Sequence, residues 1–338
     1  MNPEQSIEVF TAKDLETDQE VRWCPGCGDY AILNSLKKVL PDLGVKRSDM
    51  VFVSGIGCSS RLPYYLNTYG MHSIHGRATA IATGLKVSRP ELSVWVITGD
   101  GDALSIGGNH LIHTLRRNPD INILLFNNQI YGLTKGQFSP TSELGKVTKS
   151  SPMGTVDQPF NPLALALGAN ASFVARTIDR DPKHQQEIYK RAHAHKGCSL
   201  VEIYQNCNVF NDGAFETLTD KSTKASNTLL LEHGKPLVFN EGKQGIALRN
   251  GVAELLDLTN QENSELWIHD ENDPIKAYIL SRFFEQAEFP TPLGVIYVRP
   301  EQATLNDLIQ AQLSHSPTAE KTVHFNALLK GSKSWEVQ

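Results

Sequence analysis

The chain has no long apolar run: nothing in its 338 residues approaches the roughly 18 consecutive apolar positions that a membrane span needs. It has no excess of positive charge either. A formal net charge of −5 argues against a nucleic-acid-binding surface. The first residues, MNPEQSIEVFTAKDLETDQEV, are polar and acidic, unlike a secretory signal. The expectation is therefore a cytoplasmic protein with no membrane and no nucleic-acid partner. No internal repeat and no low-complexity tract is present. Cysteine is scarce, with five residues, and cytoplasmic thiols normally stay reduced. Those five are candidates for metal or redox work rather than for disulfides. Apolar content is ordinary at 40%, enough for a full core.

The pattern that is present alternates strand and helix. MVFVSG (50–55) reads as a strand, as do Leu92–Thr98, Ile121–Phe126, Ala171–Ala175 and Ser199–Gln205. Helices are expected from Gly28 to about Leu40, from His75, over about 162–168 and over about 181–195. Such alternation predicts an α/β fold with a doubly wound parallel sheet. Residues 132–160 show no periodicity, and so long an irregular segment usually has a function. Beyond 216 the pattern weakens. There the reading is a polar stretch to 245, a helix over about 247–256, a helix near Ile275–Glu285 and a short apolar run, Gly294–Val298. This divides the chain into an arm (1–22), an α/β domain (23–215) and a C-terminal extension (216–338).

The most informative stretch is GDGDALSIGGNHLIHTLRRNPDINILLFNNQIYG (99–132). It reads as strand end, tight acidic turn, helix, second strand, then paired amides. In a parallel sheet both strand ends lie on the edge where α/β proteins bind ligands. Asp100 and Asn128 are one crossover apart, so they return side by side. A hard divalent cation wants oxygen ligands, and magnesium usually brings substrate phosphates with it. Asp100 offers a carboxylate, Asn128 an amide oxygen and Ile130 a backbone carbonyl. Gly99 and Gly101 permit a sharp turn that exposes N–H groups, and these with the following helix N-terminus suit a diphosphate. G-D-G alone would favour an ordinary βαβ unit whose acidic turn caps a helix; the paired amides at this spacing, after a second apolar strand, turn the reading toward the cation and diphosphate site.

This stretch resembles the thiamine diphosphate motif, G-D-G followed one crossover later by N-N. Further segments narrow the resemblance: WCPGCGDYAIL (23–33), GIGCSSR (55–61), HGRATAIATGLK (75–86) and YGLTKGQFSPTSELGKVTKS (131–150). Together they resemble the beta subunit of 2-oxoacid:ferredoxin oxidoreductases, and within that family the 2-oxoglutarate-specific (2-oxoglutarate synthase) branch. The likeness is strong over about 20–215 and only an outline beyond. It implies a thiamine diphosphate-binding, diphosphate-type domain with an N-terminal cluster-binding arm.

Residue by residue, the resemblance implies that Ile56, Gly57, Cys58 and Ser59 contact thiamine diphosphate, and that His75 does so from its own helix start. It implies Mg2+ on Asp100, Asn128 and Ile130. Gly101 and Asp102 would meet the diphosphate, with the Asp102 carboxylate turned away, and Gly132 and Leu133 form the following turn. Arg61 and Lys135 are candidates for holding a substrate carboxylate, Arg61 in bidentate fashion. His110 and His113 read as packing or surface residues, and His193 and His195 as solvated helix residues.

Strand direction sorts the cysteines. Cys58 and Cys207 follow strand carboxyl ends, on the ligand edge, whereas Cys198 starts a strand and belongs on the opposite edge. Cys24 and Cys27 form a C-x-x-C. Alone, that pair would suit zinc or a redox dithiol, though zinc sites usually show two close pairs. The family pattern assigns Cys24, Cys27, Cys58 and Cys207 to a 4Fe-4S cluster, a centre that wants four thiolates.

The family further implies oxidative decarboxylation of 2-oxoglutarate, with coenzyme A taking the acyl group and ferredoxin the electrons. The reaction is reversible in principle. The pyrimidine half of the cofactor would sit on a separate alpha subunit, leaving this chain catalytically incomplete alone. Pyruvate or a broader set of 2-oxoacids is the rival substrate. A non-redox thiamine diphosphate decarboxylase subunit, or a zinc-tied scaffold, are the rival functions.

Overall fold

The computed structural model describes residues 9–259, 265–315, 329–332 and 334–335; the first eight residues of the N-terminal arm lie outside them. Helix α1 (Asp29–Val39) leads to strands β1 (Met50–Ser54) and β2 (Tyr69–His72), then α2 (Ala78–Ser88), β3 (Ser93–Gly99), α3 (Gly108–Arg117) and β4 (Asn122–Asn127). An irregular segment follows. The alternation resumes with α4 (Pro162–Gly168), β5 (Phe173–Ile178), α5 (Pro182–Ala194) and β6 (Ser199–Tyr204). The remainder holds the single turn α6 (Lys224–Asn227), β7 (Thr228–Leu230), β8 (Val238–Phe239), β9 (Gln244–Arg249), β10 (Val252–Asp257), α7 (Pro274–Ser281), β11 (Thr291–Val298) and α8 (Leu305–Ser314).

Eight strands form the main sheet in the order β2-β1-β3-β4-β6-β5-β11-β7. The first six run parallel, as the alternating pattern predicts. β11 is antiparallel to β5 and carries β7 beside it in its own direction. The apolar run near 294–298 thus supplies a strand to this sheet, which is mostly rather than wholly parallel.

Both faces of the sheet are covered, which is why the middles of β3 (Val94–Ile97) and β4 (Ile123–Phe126) are apolar throughout. Val94, Val96, Ile123 and Leu125 face a core shared with α2, α3, α4 and α7. Trp95, Ile97, Leu124 and Phe126 face the other, shared with α1 and α5. This is the period of two expected of a strand. Each such side chain, buried fully, contributes about 1.5–3 kcal/mol. The helices start where capping chemistry dictates: Asn161 and Asp273 accept backbone N–H groups at α4 and α7, and Asp181 does so at α5. A proline follows each as the first helical residue, where its missing N–H costs nothing.

Two expectations are corrected. Residues 247–256 are not a helix. β9 and β10 pair as an antiparallel hairpin through Asn250-Gly251, whose φ angles of 51° and 81° are those of a two-residue hairpin turn. The turn overrides the helix preference of Ala, Leu and Glu in this stretch. His193 and His195 are half-buried, not solvated. His193 stacks on Trp95 with ring centroids 5.9 Å apart, and His195 Nε2 lies 2.8 Å from Ser172 Oγ. Burial lowers the pKa of both imidazoles. Among the described residues no helix is long and apolar enough to cross a membrane.

Candidate active site

The parallel register brings the carboxyl ends of β1, β3, β4 and β6 to one edge. There a cavity of about 180 Å³ is lined by Ile56, Gly57, Cys58 and Ser59 after β1, His75 before α2, Asp100, Gly101 and Asp102 after β3, and Asn128, Ile130, Gly132 and Leu133 after β4. Every residue singled out from the sequence for the magnesium and diphosphate sites is in this lining.

Asp100 is buried. Its Oδ2 accepts from Ser139 Oγ at 2.5 Å and Thr141 Oγ1 at 2.6 Å, both from the irregular segment. Burial pushes its carboxyl up to about 6 against the hydroxyl bonds that favour the ion. Asn128 Oδ1 accepts from Ile130 N at 3.2 Å, and its amide nitrogen donates to Gln205 Oε1 at 2.9 Å. Gly101 has no room for a side chain. A Cβ there would come within 2.1 Å of the Tyr131 ring, whose hydroxyl donates to the Gly101 carbonyl at 3.0 Å.

Asp102 is the organiser of the floor. Its Oδ1 accepts from Ile56 N at 3.1 Å, Gly76 N at 2.7 Å and His75 Nδ1 at 2.5 Å, and its Oδ2 accepts from Thr98 Oγ1 at 2.7 Å. The carboxylate therefore turns into the protein and ties three loops together. Gly76, at φ 71°, packs so close to Gly107 that a Cβ would meet its nitrogen at 2.6 Å. Residues 102–106 form a π-turn, a feature frequent at functional sites.

The thiols sort by sheet edge. Cys198 is wholly buried at the amino end of β6, and burial raises its pKa. Cys58 and Cys207 meet around Gly132, where a Cβ would lie 3.5 Å from one sulfur and 3.6 Å from the other. The C-x-x-C loop is stapled to both neighbours. Trp23 Nε1 donates to the Cys58 carbonyl at 2.7 Å, and Asn208 Nδ2 to the Pro25 carbonyl at 2.6 Å. Gln205 Nε2 reaches Cys27 Sγ at 3.3 Å. Burial pushes the Cys58 thiol up to about 12 and the Cys27 thiol higher still, and charge on Cys207 acts on both. Cys24 is exposed. All five cysteines are free. Among the described residues, no three His, Cys, Asp or Glu side chains are arranged to hold one metal ion.

The family profile described as "Thiamine pyrophosphate enzyme, C-terminal TPP binding domain" matches residues 55–203, the span that builds this cavity. The chain is 51% identical to "2-oxoglutarate oxidoreductase subunit KorB" of Mycobacterium tuberculosis over 330 residues, which is 96% of this chain and 88% of that one. The chain belongs to the 2-oxoacid:ferredoxin oxidoreductase beta subunits. A Sulfolobus "2-oxoacid:ferredoxin oxidoreductase subunit beta" is 44% identical over 63% of this chain and 70% of its own. The solved "2-oxoglutarate:ferredoxin oxidoreductase from Magnetococcus marinus with 2-oxoglutarate, coenzyme A and succinyl-CoA bound" superposes with a TM-score of 0.75 at 31% identity, covering 96% of each chain.

In this beta subunit the two substrate-binding candidates stand apart from the cavity lining. Arg61 follows the Cys58 segment, and its Nε donates to Tyr65 OH at 3.1 Å. Lys135, with a left-handed φ of 82°, lines a neighbouring hollow with Val147, Lys149 and Phe210. Ser139, Thr141, Tyr131 and Gln205 were not legible as site residues. The sequence signal they carry is position alone: Ser139 and Thr141 lie in the long irregular segment, Tyr131 immediately before it, and Gln205 two residues before Cys207.

Proposed function

We propose that this chain is the diphosphate-binding half of an enzyme that converts 2-oxoglutarate, coenzyme A and two one-electron equivalents of oxidised ferredoxin into succinyl-CoA, carbon dioxide, a proton and two equivalents of reduced ferredoxin. The carrying observation is that Cys58 lines the same cavity as Asp100 and Asn128 while its sulfur stands with that of Cys207 against Gly132. A decarboxylation site and a thiolate site thus share a wall, which is what passing electrons from one to the other requires.

The donor sets fit the groups. Magnesium asks for oxygen ligands and keeps room for phosphates. Asp100, Asn128 Oδ1 and the Ile130 carbonyl would hold it, and the buried Asp100 charge is the one that a cation would relieve. In a 4Fe-4S cluster each thiolate holds a different iron, so Cys24, Cys27, Cys58 and Cys207 need not converge on one point. Neither group requires three such side chains about a single ion. Thiamine diphosphate supplies an electron sink at the 2-oxoacid carbonyl, and the cluster a route for single electrons.

The protein's own residues do the rest. Gly101 and Asp102, in the cavity lining at the start of the following turn, would offer their N–H groups to the diphosphate. Asp102 keeps its carboxylate off the anion and spends it on Ile56, His75 and Gly76, fixing the loop that carries Ser59 and Cys58. Arg61 or Lys135 holds the distal carboxylate of the substrate. The alpha subunit completes the cofactor site with its pyrimidine-binding domain.

The test is an anaerobic preparation co-expressed with the alpha subunit. The expected result is a brown protein with about four irons per beta chain, as one cluster requires, and coenzyme A-dependent reduction of ferredoxin by 2-oxoglutarate. A colourless protein with thiamine diphosphate and no iron would replace this reading with a non-redox decarboxylase. Zinc in place of iron, without turnover, would replace it with a scaffold.

A further inference from the structure

Arg176 on β5 and Glu202 on β6 are register partners, and both side chains are wholly buried. Arg176 Nε donates to Glu202 Oε2 at 2.7 Å, and the guanidinium lies over the Tyr204 ring. Its two terminal nitrogens have no hydrogen-bond partner among the described residues. Such a pair is an expensive way to fill a core. Its desolvation commonly exceeds its attraction, and apolar residues of equal volume are often as stable or more so. Packing alone therefore does not account for it.

The second carboxylate oxygen does. Glu202 Oε1 accepts from Asn127 Nδ2 at 2.7 Å. A carboxylate can only accept, so it decides which end of the Asn127 amide faces it. Asn127 Oδ1 is thereby turned toward the loop, where it accepts from Gln129 N at 3.2 Å and meets Thr141 Oγ1 at 2.9 Å. Gln129 is held at φ 55°, and this left-handed residue separates Asn128 from Ile130. Thr141 in turn reaches Asp100 Oδ2 at 2.6 Å.

We propose that the Arg176–Glu202 pair is a positioning unit for the magnesium–diphosphate site. It locks the Asn127 amide, the amide locks the turn that presents Asn128 and Ile130, and Thr141 carries the same constraint to Asp100. This rests on the magnesium assignment proposed above.

The experiment uses the assembled enzyme, stripped of metal and cofactor with a chelator and titrated with Mg2+ at fixed thiamine diphosphate. The double variant Arg176→Met/Glu202→Met removes both charges at similar volume. Its Tm should equal or exceed that of the parent, yet its Mg2+ Kd should rise about 10–100-fold, the usual effect of losing a residue that orients a metal ligand. Arg176→Met/Glu202→Gln keeps a neutral acceptor for Asn127, and should recover most of that affinity. Parent-like Mg2+ binding by the Met/Met protein would overturn the proposal, as would equal weakening of both variants. Should Met/Met fail to fold, Asn127→Ala takes its place: weakening of tenfold or more supports the unit and unchanged affinity overturns it. A parent enzyme whose thiamine diphosphate binding ignores Mg2+ would overturn the metal assignment itself, and this inference with it.

Discussion

His75 Nδ1 and Asp102 Oδ1 lie 2.5 Å apart, and the carboxylate that makes this contact is buried beneath the cofactor cavity. Because the same oxygen also accepts from Ile56 N and Gly76 N, one side chain holds two loops to the end of β3. Asp102→Asn keeps an acceptor for those donors, and its amide can donate to the Thr98 hydroxyl, so its cost should be about 1 kcal/mol. Asp102→Ala leaves buried N–H groups without partners and should cost about 3 kcal/mol or more. Urea unfolding of the two variants checks this. Equal losses would mean that the loops are held by something else.

Cys207 and Cys198 flank the same strand at opposite ends. Cys207→Ser should lose the iron and its absorbance near 400 nm, because a serine is a poor substitute for a thiolate on iron–sulfur. Cys198→Ser should keep the iron and lose stability instead, about 1–3 kcal/mol, from a hydroxyl placed in an apolar core. Iron analysis with a melting curve separates the two. A Cys198 variant without iron would reverse the assignment of sheet edges.

The hairpin β9–β10 gives a test remote from the chemistry. Gly251→Ala forces a side chain into φ 81°, and should lower stability by about 1–2 kcal/mol. Denaturant unfolding reads this directly. A neutral result would mean that the turn relaxes.

What could be read from the sequence and what could not differ for physical reasons. β3 and β4 were legible because burial on both faces makes their middles continuous apolar runs, and the side-by-side placing of Asp100 and Asn128 followed from strand direction. The hairpin was not legible from VAELLD, whose residues favour helix. The Asn250-Gly251 turn decides it, and that dipeptide was the available signal. Ser139 and Thr141 reach Asp100 from the irregular segment, where no period predicts which side chain turns inward. Arg176 and Glu202 look like the polar positions of half-exposed strands; Glu202 on β6 lies between β4 and β5, and the addition of β11 beyond β5 puts Arg176 inside the sheet as well.

His269 predicts a pH dependence. Its Nε2 donates to the Val295 carbonyl at 2.9 Å, the ring is buried, and Nδ1 has no partner among the described residues. Burial lowers its pKa, outweighing the Val295 hydrogen bond and the Glu271 and Asp270 charges that raise it, with His233 acting in the same sense as burial. The folded protein thus holds the ring neutral, while the unfolded chain takes up a proton below about 6.5. Stability from this residue is complete above that pH and is lost as pH falls toward the lowered folded value. The slope cannot exceed about 1.4 kcal/mol per pH unit. His269→Gln keeps a donor for Val295 and should flatten the unfolding free energy between pH 5 and 6.5. An unchanged slope would assign the acid sensitivity to other groups, the half-buried His193 and His195 among them.

The proposed role of Lys135 can be tested by how the enzyme tells a dicarboxylate from a monocarboxylate. Lys135 lines the adjoining hollow rather than the cavity, just beyond Gly132 and Leu133, with a left-handed φ of 82°. A lysine there can meet the far carboxylate of 2-oxoglutarate without touching the carbonyl carbon. Lys135→Ala should then raise KM for 2-oxoglutarate about tenfold or more, since a charge-assisted bond contributes about 1.5–3 kcal/mol. KM for 2-oxobutyrate, which has no far carboxylate, should barely move, and kcat for both should stay close to that of the parent. Steady-state kinetics with the two substrates on the assembled enzyme reads the difference. Equal changes for both would take the role from Lys135. Arg61 would then be the remaining candidate, with Arg61→Gln expected to show the selective KM effect in its place.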